Sequence, residues 1–194
     1  MKRLLVVLGF LALSAGPAVA QQEHFEFSVG GSFRAFQQTD TSDQSRIGMP
    51  GWYFAGVFNI HRFRNFLGVQ LEGTGSYRGQ GVVGNTSIYT AQIGPRIYPI
   101  GHHKLTPYGE VLFGVGYYRN DIPAYGGFQP SVYSYTGDTW EAGGGMEMNI
   151  KHHWGLRLMQ FDFGQTHFFS KSERQTNYRA SIGITYRFNW WKWQ

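Results

Sequence analysis

The 194 residues contain no cysteine, which excludes a disulfide-stapled scaffold and leaves packing or a membrane to supply stability. Charge is scarce too. Asp, Glu, Lys and Arg make up 15% of the chain, against about 25% in ordinary soluble domains. The basic residues form no run, so the electrostatic footprint of a nucleic-acid binder is missing and no nucleic-acid partner is expected. Long apolar runs are absent after residue 20, which excludes transmembrane helices.

The one apolar run, Leu4 to Leu13, is only ten residues long, too short for the roughly 20 that span a bilayer. It follows Lys2 and Arg3 and precedes Ala18-Val19-Ala20, the charged, apolar and small-residue order of a secretory signal peptide. Residues 1–20 are therefore expected to be removed, with Gln21 first in the mature chain. Without Lys2 and Arg3, 15 basic residues face 12 acids, a weak positive balance.

Aromatics reach 18% and glycine 27 residues. Abundant aromatics with few charges and no apolar run fit a membrane β-protein, whose hydrophobic signal is spread over alternate residues. Eight segments carry that alternation. The last sets Tyr178, Ala180, Ile182, Ile184, Tyr186 and Phe188 against Arg179, Ser181, Gly183, Thr185 and Arg187. Eleven residues of period two suit a tilted membrane strand. The first sets Phe25, Phe27, Val29, Phe33 and Ala35 against Glu26, Ser28, Ser32 and Arg34. Markers of the others are Trp52 and Phe58, Leu67 and Tyr77, Tyr89 and Ile97, Val111 and Tyr117, Trp140 and Met148, and Leu156 and Leu158. The seventh segment changes parity before Phe161 and Phe163, so one extra residue near Met159 or Gln160, a β-bulge, is expected there.

The spacing predicts short links after even strands and long polar links after odd ones, the rim asymmetry of outer-membrane barrels. An even strand number puts both termini on the short-turn, periplasmic rim. A lipocalin-like barrel would alternate with its apolar face inward. Here Gly, Ser, Thr and Gln share the second face with charges, and aromatics recur near strand ends as interfacial girdles do. The expected fold is all-β: an eight-stranded antiparallel up-and-down transmembrane β-barrel over 21–188, after a signal peptide (1–20) and before an aromatic tail (189–194). Trp190, Trp191 and Trp193 of that tail are expected to anchor at the inner interface.

Parity turns Glu26, Glu72, Glu110, Glu141, Glu147 and Asp162 inward with Arg34, Arg78, Arg96, Arg157, Arg179 and Arg187. Charges in so narrow a lumen need partners, and eight strands leave space that side chains fill. An Arg–carboxylate network is expected to plug the interior, built on Glu26, Glu72, Glu110, Glu147, Arg96, Arg157 and Arg187. Arginine suits it because it stays charged and grips carboxylates bidentately.

These features resemble the small outer-membrane β-barrels of Gram-negative bacteria, the OmpA-barrel, OmpX and opacity-protein type, over about residues 24–188. Four stretches carry the resemblance: Gly94-Pro-Arg-Ile-Tyr98, Thr106 to Tyr117, Trp154-Gly-Leu-Arg-Leu158 and Arg179 to Phe188. It implies residence in the cell outer membrane among lipid and lipopolysaccharide. It also implies delivery by periplasmic chaperones and the barrel-assembly machinery. Two departures stand out: the family's closing aromatic is usually the last residue, whereas Phe188 is followed by six more, and no peptidoglycan-binding domain follows.

Other groups offer little chemistry. His167, Ser170 and Glu173 are the nearest approach to the Ser–His–acid set of a lipid A-modifying barrel enzyme, but a loop spacing of three fixes no geometry. His102-His103 and His152-His153 lack the ligand count of a metal site. Gly143-Gly144-Gly145 marks a bend or a close strand approach, since no helix follows to bind phosphate. Neither cofactor nor metal is expected. Tyr125, Phe128, Tyr133 and Tyr135, in the link between strands five and six, are the candidate contacts for an extracellular ligand. The expected role is structural or surface-interacting rather than enzymatic; the competing readings are the lipid A-modifying enzyme and a narrow ion-conducting pore.

Overall fold

The computed structural model describes residues 25–37, 46–60, 66–79, 85–100, 104–124, 129–151, 153–168 and 174–188. The signal segment, Tyr125, Phe128, His102, His103, His152, Ser170, Glu173 and the Trp-rich tail lie outside them.

Eight strands follow one another: β1 (Phe25–Gln37), β2 (Arg46–Asn59), β3 (Leu67–Gly79), β4 (Asn85–Ile97), β5 (Leu105–Ile122), β6 (Ser131–Lys151), β7 (Trp154–Thr166) and β8 (Gln175–Phe188). Each pairs antiparallel with its sequence neighbours, and β8 returns to β1 to close the barrel. The closing ladder runs from Phe25 opposite Phe188 to Phe36 opposite Asn177. Closure leaves no strand edge facing lipid, where an unsatisfied backbone group costs several kcal/mol.

Side chains sort as their two-residue period requires. Outside stand Phe33, Leu71, Phe113, Phe161 and Ile182, all well exposed; inside stand Arg34, Gln70, Glu72, Arg96, Arg157 and Thr185, all buried. This is the arrangement of a soluble protein inverted, so lipid and not water is the solvent of the outer face.

Aromatic side chains mark two levels on that face. On the rim away from the termini, Trp52 donates its indole N–H to Tyr77 Oη at 3.0 Å. Tyr77 packs edge-on to Tyr89, and Tyr89 lies beside Tyr117. Further round, Phe163 packs against both Trp140 and Tyr178. On the terminal rim, Trp154, Tyr186, Phe188 and Phe25 form a chain of ring contacts over the β7–β8–β1 seam.

The expected bulge is present. Leu158 and Met159 both face outward, and the β7–β8 register jumps between Arg157 and Gln160. The extra residue keeps Arg157 below it and Gln160 and Asp162 above it all inside the lumen.

The rim asymmetry takes a different form from the one expected. Links on the terminal rim span 60–66, 98–104 and 152–153, and those on the other rim 38–45, 80–84, 123–130 and 167–174. Link length barely separates the rims apart from the two-residue turn. Strand length does: β5 and β6 have 18 and 21 residues where the others have 13 or 14. The long link expected there is largely ladder, paired from Tyr117 opposite Thr136 to Ile122 opposite Ser131. Val132, Tyr133, Tyr135 and Thr136 have the β-propensity to extend pairing beyond the barrel. Tyr133 and Tyr135 are thus strand residues of a projecting hairpin, not loop residues.

Candidate functional site

The strands deliver six buried carboxylates and five buried arginines to the lumen among the described residues. Arg78, expected among them, is only half-buried near the outer rim. The eleven groups form two clusters of opposite logic.

Nearer the termini, one carboxylate gathers three arginines. Glu147 of β6 accepts Arg96 Nη2 at 2.7 Å and Arg157 Nη2 at 3.0 Å on Oε1, and Arg187 Nη2 at 2.7 Å on Oε2. Three strands (β4, β7 and β8) are thereby tied to a fourth across the lumen. Arg187 also pairs with Glu26 at 3.3 Å and donates to Asn149. Glu26 in turn accepts Asn59 Nδ2 at 2.7 Å and Tyr98 Oη at 3.2 Å.

Farther out, one arginine gathers three carboxylates. Arg179 of β8 contacts Glu72, Glu141 at 3.2 Å and Asp162 at 2.8 Å. Arg34 supports Glu141 at 2.9 Å and donates to Thr74 at 3.1 Å.

Two glutamines join the clusters. Gln160 accepts from Arg157 at 2.7 Å and from Tyr108 Oη at 2.9 Å, while its Nε2 donates to Glu110 and Asp162, each at 2.8 Å. Gln70 accepts from Arg96 at 3.1 Å and donates to Glu72 and Glu110. Glu110 therefore enters the network through amides, although Arg96 stands opposite it in the β4–β5 ladder. Arg96 turns to Glu147 instead, with its guanidinium 3.5 Å from the Tyr108 ring centre.

Above the charges the lumen changes character. Phe36, Ile47, Met49, Ile88, Tyr118 and Phe168 form a buried apolar cluster. Phe168 follows β7 and turns inward: its backbone N–H donates to Gln175 Oε1 at 3.2 Å, and its ring lies 5.8 Å from Tyr118 and 6.2 Å from Phe36. Tyr135 continues the stack outward, 6.2 Å from Tyr118.

All seven residues singled out for the lumen network lie buried within it. The glutamines, Tyr98, Tyr108 and the apolar cap are the additions. Parity carried a signal for some of them: Tyr98 is in phase with Arg96, Tyr108 with Glu110, and Phe36 with Arg34. Phe168 had none, since it lies past the end of its strand. Of the other histidine candidates, His167 donates its backbone N–H to the Asp138 carbonyl at 3.0 Å, and the His153 ring sits by Tyr186. Gly145 is a point of close approach, since a Cβ there would lie 2.8 Å from the Tyr108 ring. Among the described residues no group of three His, Cys, Asp or Glu side chains is placed to hold a metal ion.

Residues 5–188 match the family model of the outer membrane protein beta-barrel domain. The chain belongs to this family. Its place is accordingly the bacterial outer membrane. No curated protein matches it. Among solved structures, it is similar to Ail, the attachment invasion locus protein of Yersinia pestis, with 18% identity and a TM-score of 0.61. That similarity covers 86% of this chain and 100% of Ail. It is also similar to Neisserial surface protein A, with 10% identity and a TM-score of 0.60, over 84% of this chain and 97% of that one. At such identities the likeness speaks to the fold.

Proposed function

We propose that this outer-membrane barrel is a non-enzymatic surface-interaction protein that acts through its projecting β5–β6 hairpin while its interior serves as a stabilising plug. The carrying observation is the hairpin itself. It rises on the rim opposite the termini, and its exposed Val132, Tyr133 and Tyr135 present apolar surface where lipid no longer covers it. Among the described residues the β6–β7 ladder stops at Thr139 opposite Thr166. The backbone of 131–136 therefore offers an edge to which an extended segment of a partner can add.

The orientation follows from the same asymmetry: the termini face the periplasm and the hairpin faces outward. Residues 1–20 serve as the export signal, 21–188 as the barrel, and 189–194 as a periplasmic anchor. Delivery by periplasmic chaperones and the assembly machinery, and contact with lipopolysaccharide, belong to the same reading. Tyr125 and Phe128 lie in the link at the hairpin tip and join Tyr133 and Tyr135 as contact residues. Ail has been solved with the heparin analogue sucrose octasulfate, which makes a sulfated sugar one useful probe for this chain.

The test uses cells displaying the full chain and a variant in which 119–134 is replaced by a two-residue Asn-Gly turn. Adhesion to epithelial monolayers and binding of sucrose octasulfate are measured alongside heat-modifiable gel mobility. The reading expects one or both to fall while the mobility shift of a folded barrel persists. Unchanged adhesion and sugar binding in the shortened, folded variant would overturn it.

A further inference from the structure

The lipid-facing wall is uneven at one place. Along β2, β1, β8 and β7 two contiguous grooves of about 370 and 390 Å³ share Phe33, Phe161 and Ala180. Their floor is made of small residues, Gly31, Ala35 and Ala180, and larger side chains stand on either side. Phe33 leaves the floor open because its ring lies over Gly48 of β2, where a Cβ would collide with it. The groove runs along the strands from the level of Tyr178 down to Ile182, which lies opposite Gly31.

At the outer end stands a cation. Arg46 begins β2 and pairs with Gln37 of β1. Its guanidinium lies 4.7 Å from the ring centre of Tyr178 on β8, which lines the groove, so the side chain passes over β1 to the groove's outer end. Tyr178 belongs to the outer aromatic level, where hydrocarbon gives way to head groups. Stacking on a ring leaves the guanidinium's in-plane donors free to grip an oxyanion bidentately. Arg119, on the same rim, differs: its Nε is already 2.8 Å from Asp121.

A guanidinium above an apolar furrow parallel to the membrane normal matches an anionic amphiphile with its head at the outer interface and its acyl chain toward the midplane. We propose that the Arg46–Tyr178 groove is a binding site for a phosphorylated, acylated glycolipid of the outer leaflet, lipid A. Its phosphate pairs with Arg46 and one acyl chain lies over Ala35, Ala180 and Gly31. The inference deepens the lipopolysaccharide contact proposed above and rests on the outward orientation of this rim. It is independent of the hairpin's partner, so the adhesion experiment and the one below can fail separately.

The full refolded chain in micelles is titrated with bisphosphorylated lipid A, dephosphorylated lipid A and phosphatidylglycerol, and retained lipid is counted by native mass spectrometry. One strongly retained bisphosphorylated lipid A is expected. Arg46→Gln should weaken retention about tenfold, as losing a charge-assisted hydrogen bond does. Ala180→Phe and Ala35→Leu fill the floor and should weaken it comparably, whereas Arg119→Gln should not. Heat-modifiable mobility of each variant verifies folding. Equal retention by folded Arg46→Gln and Ala180→Phe overturns the site. Equal retention of dephosphorylated lipid A overturns the phosphate's role, and equal retention of phosphatidylglycerol overturns the assignment to lipid A.

Discussion

Single residues in the lumen bear unequal burdens, and Glu147 bears the largest. Its carboxylate holds Arg96, Arg157 and Arg187, and all four side chains are buried. Glu147→Gln takes from Arg96 and Arg157 the carboxylate that they share, and from Arg187 one of its two, in a buried space. Breaking a buried pair costs about 3–5 kcal/mol because the orphaned charge stays buried, and a loss of at least that size is expected. Urea titration of the protein folded in vesicles, followed by tryptophan fluorescence and gel mobility, gives the number; a change below 1 kcal/mol would refute this role. A second residue-scale effect comes from Tyr53. Its ring crosses from β2 over Gly30 of β1, and its hydroxyl reaches Gly183 of β8. A Cβ on Gly30 would stand 2.7 Å from that ring and closer still to the Ile182 carbonyl. Gly30→Ala should therefore cost about 1–3 kcal/mol through overpacking, measured in the same titration, despite the small size of the change.

At the scale of the strand, what matters is which face each residue keeps. Leu71, near the middle of β3, is 56% exposed, and on a soluble protein Leu71→Arg would be close to neutral. In hydrocarbon it should cost about 2–4 kcal/mol, so vesicle-folding titrations of this variant test the lipid assignment of the outer face directly. The bulge makes a sharper case. Deleting Met159 leaves Arg157, Leu158, Gln160 and Phe161 in strict alternation, so the ladder to β8 becomes regular and Gln160 and Asp162 still face the lumen. That variant should keep the heat-modifiable mobility of a folded barrel; loss of the shift would mean that the bulge itself is needed.

These strand-scale features were also the ones most legible in the sequence. Strict alternation in β1 and β8 identified the barrel and its inner face, and the parity break in β7 located the bulge within one residue. Less legible was where each strand ends. Pairing in β5 and β6 continues past the ends of the neighbouring strands because the hairpin ladder itself, rather than burial, sustains it, and alternation reports burial. The partner choices inside the lumen were hidden for a related reason. Parity says that Arg96 and Glu110 face inward opposite each other, but not that Arg96 prefers Glu147 on β6, which depends on strand tilt and stagger across a closed barrel.

For the whole molecule, the question is whether the barrel is a conduit. The lumen is obstructed twice by different physics. Along its lower and middle length, arginines and carboxylates from β1, β3, β4, β6, β7 and β8 bind one another across the axis. An ion entering there must displace a bonded partner, not merely water. Toward the outside, the Phe36–Tyr118–Phe168 cluster presents mostly apolar groups that cannot replace an ion's hydration shell, the composition of a dewetting gate. Removing either barrier alone leaves the other, so neither single variant should open the barrel. In planar bilayers the native chain should show no steady conductance, and Phe168→Ala should stay silent because the charged tier remains. Phe168→Ala combined with Glu147→Gln, which loosens three arginines, should give small, noisy openings. Steady unitary conductance from the native chain, or from Phe168→Ala alone, would show that the charged tier is no plug.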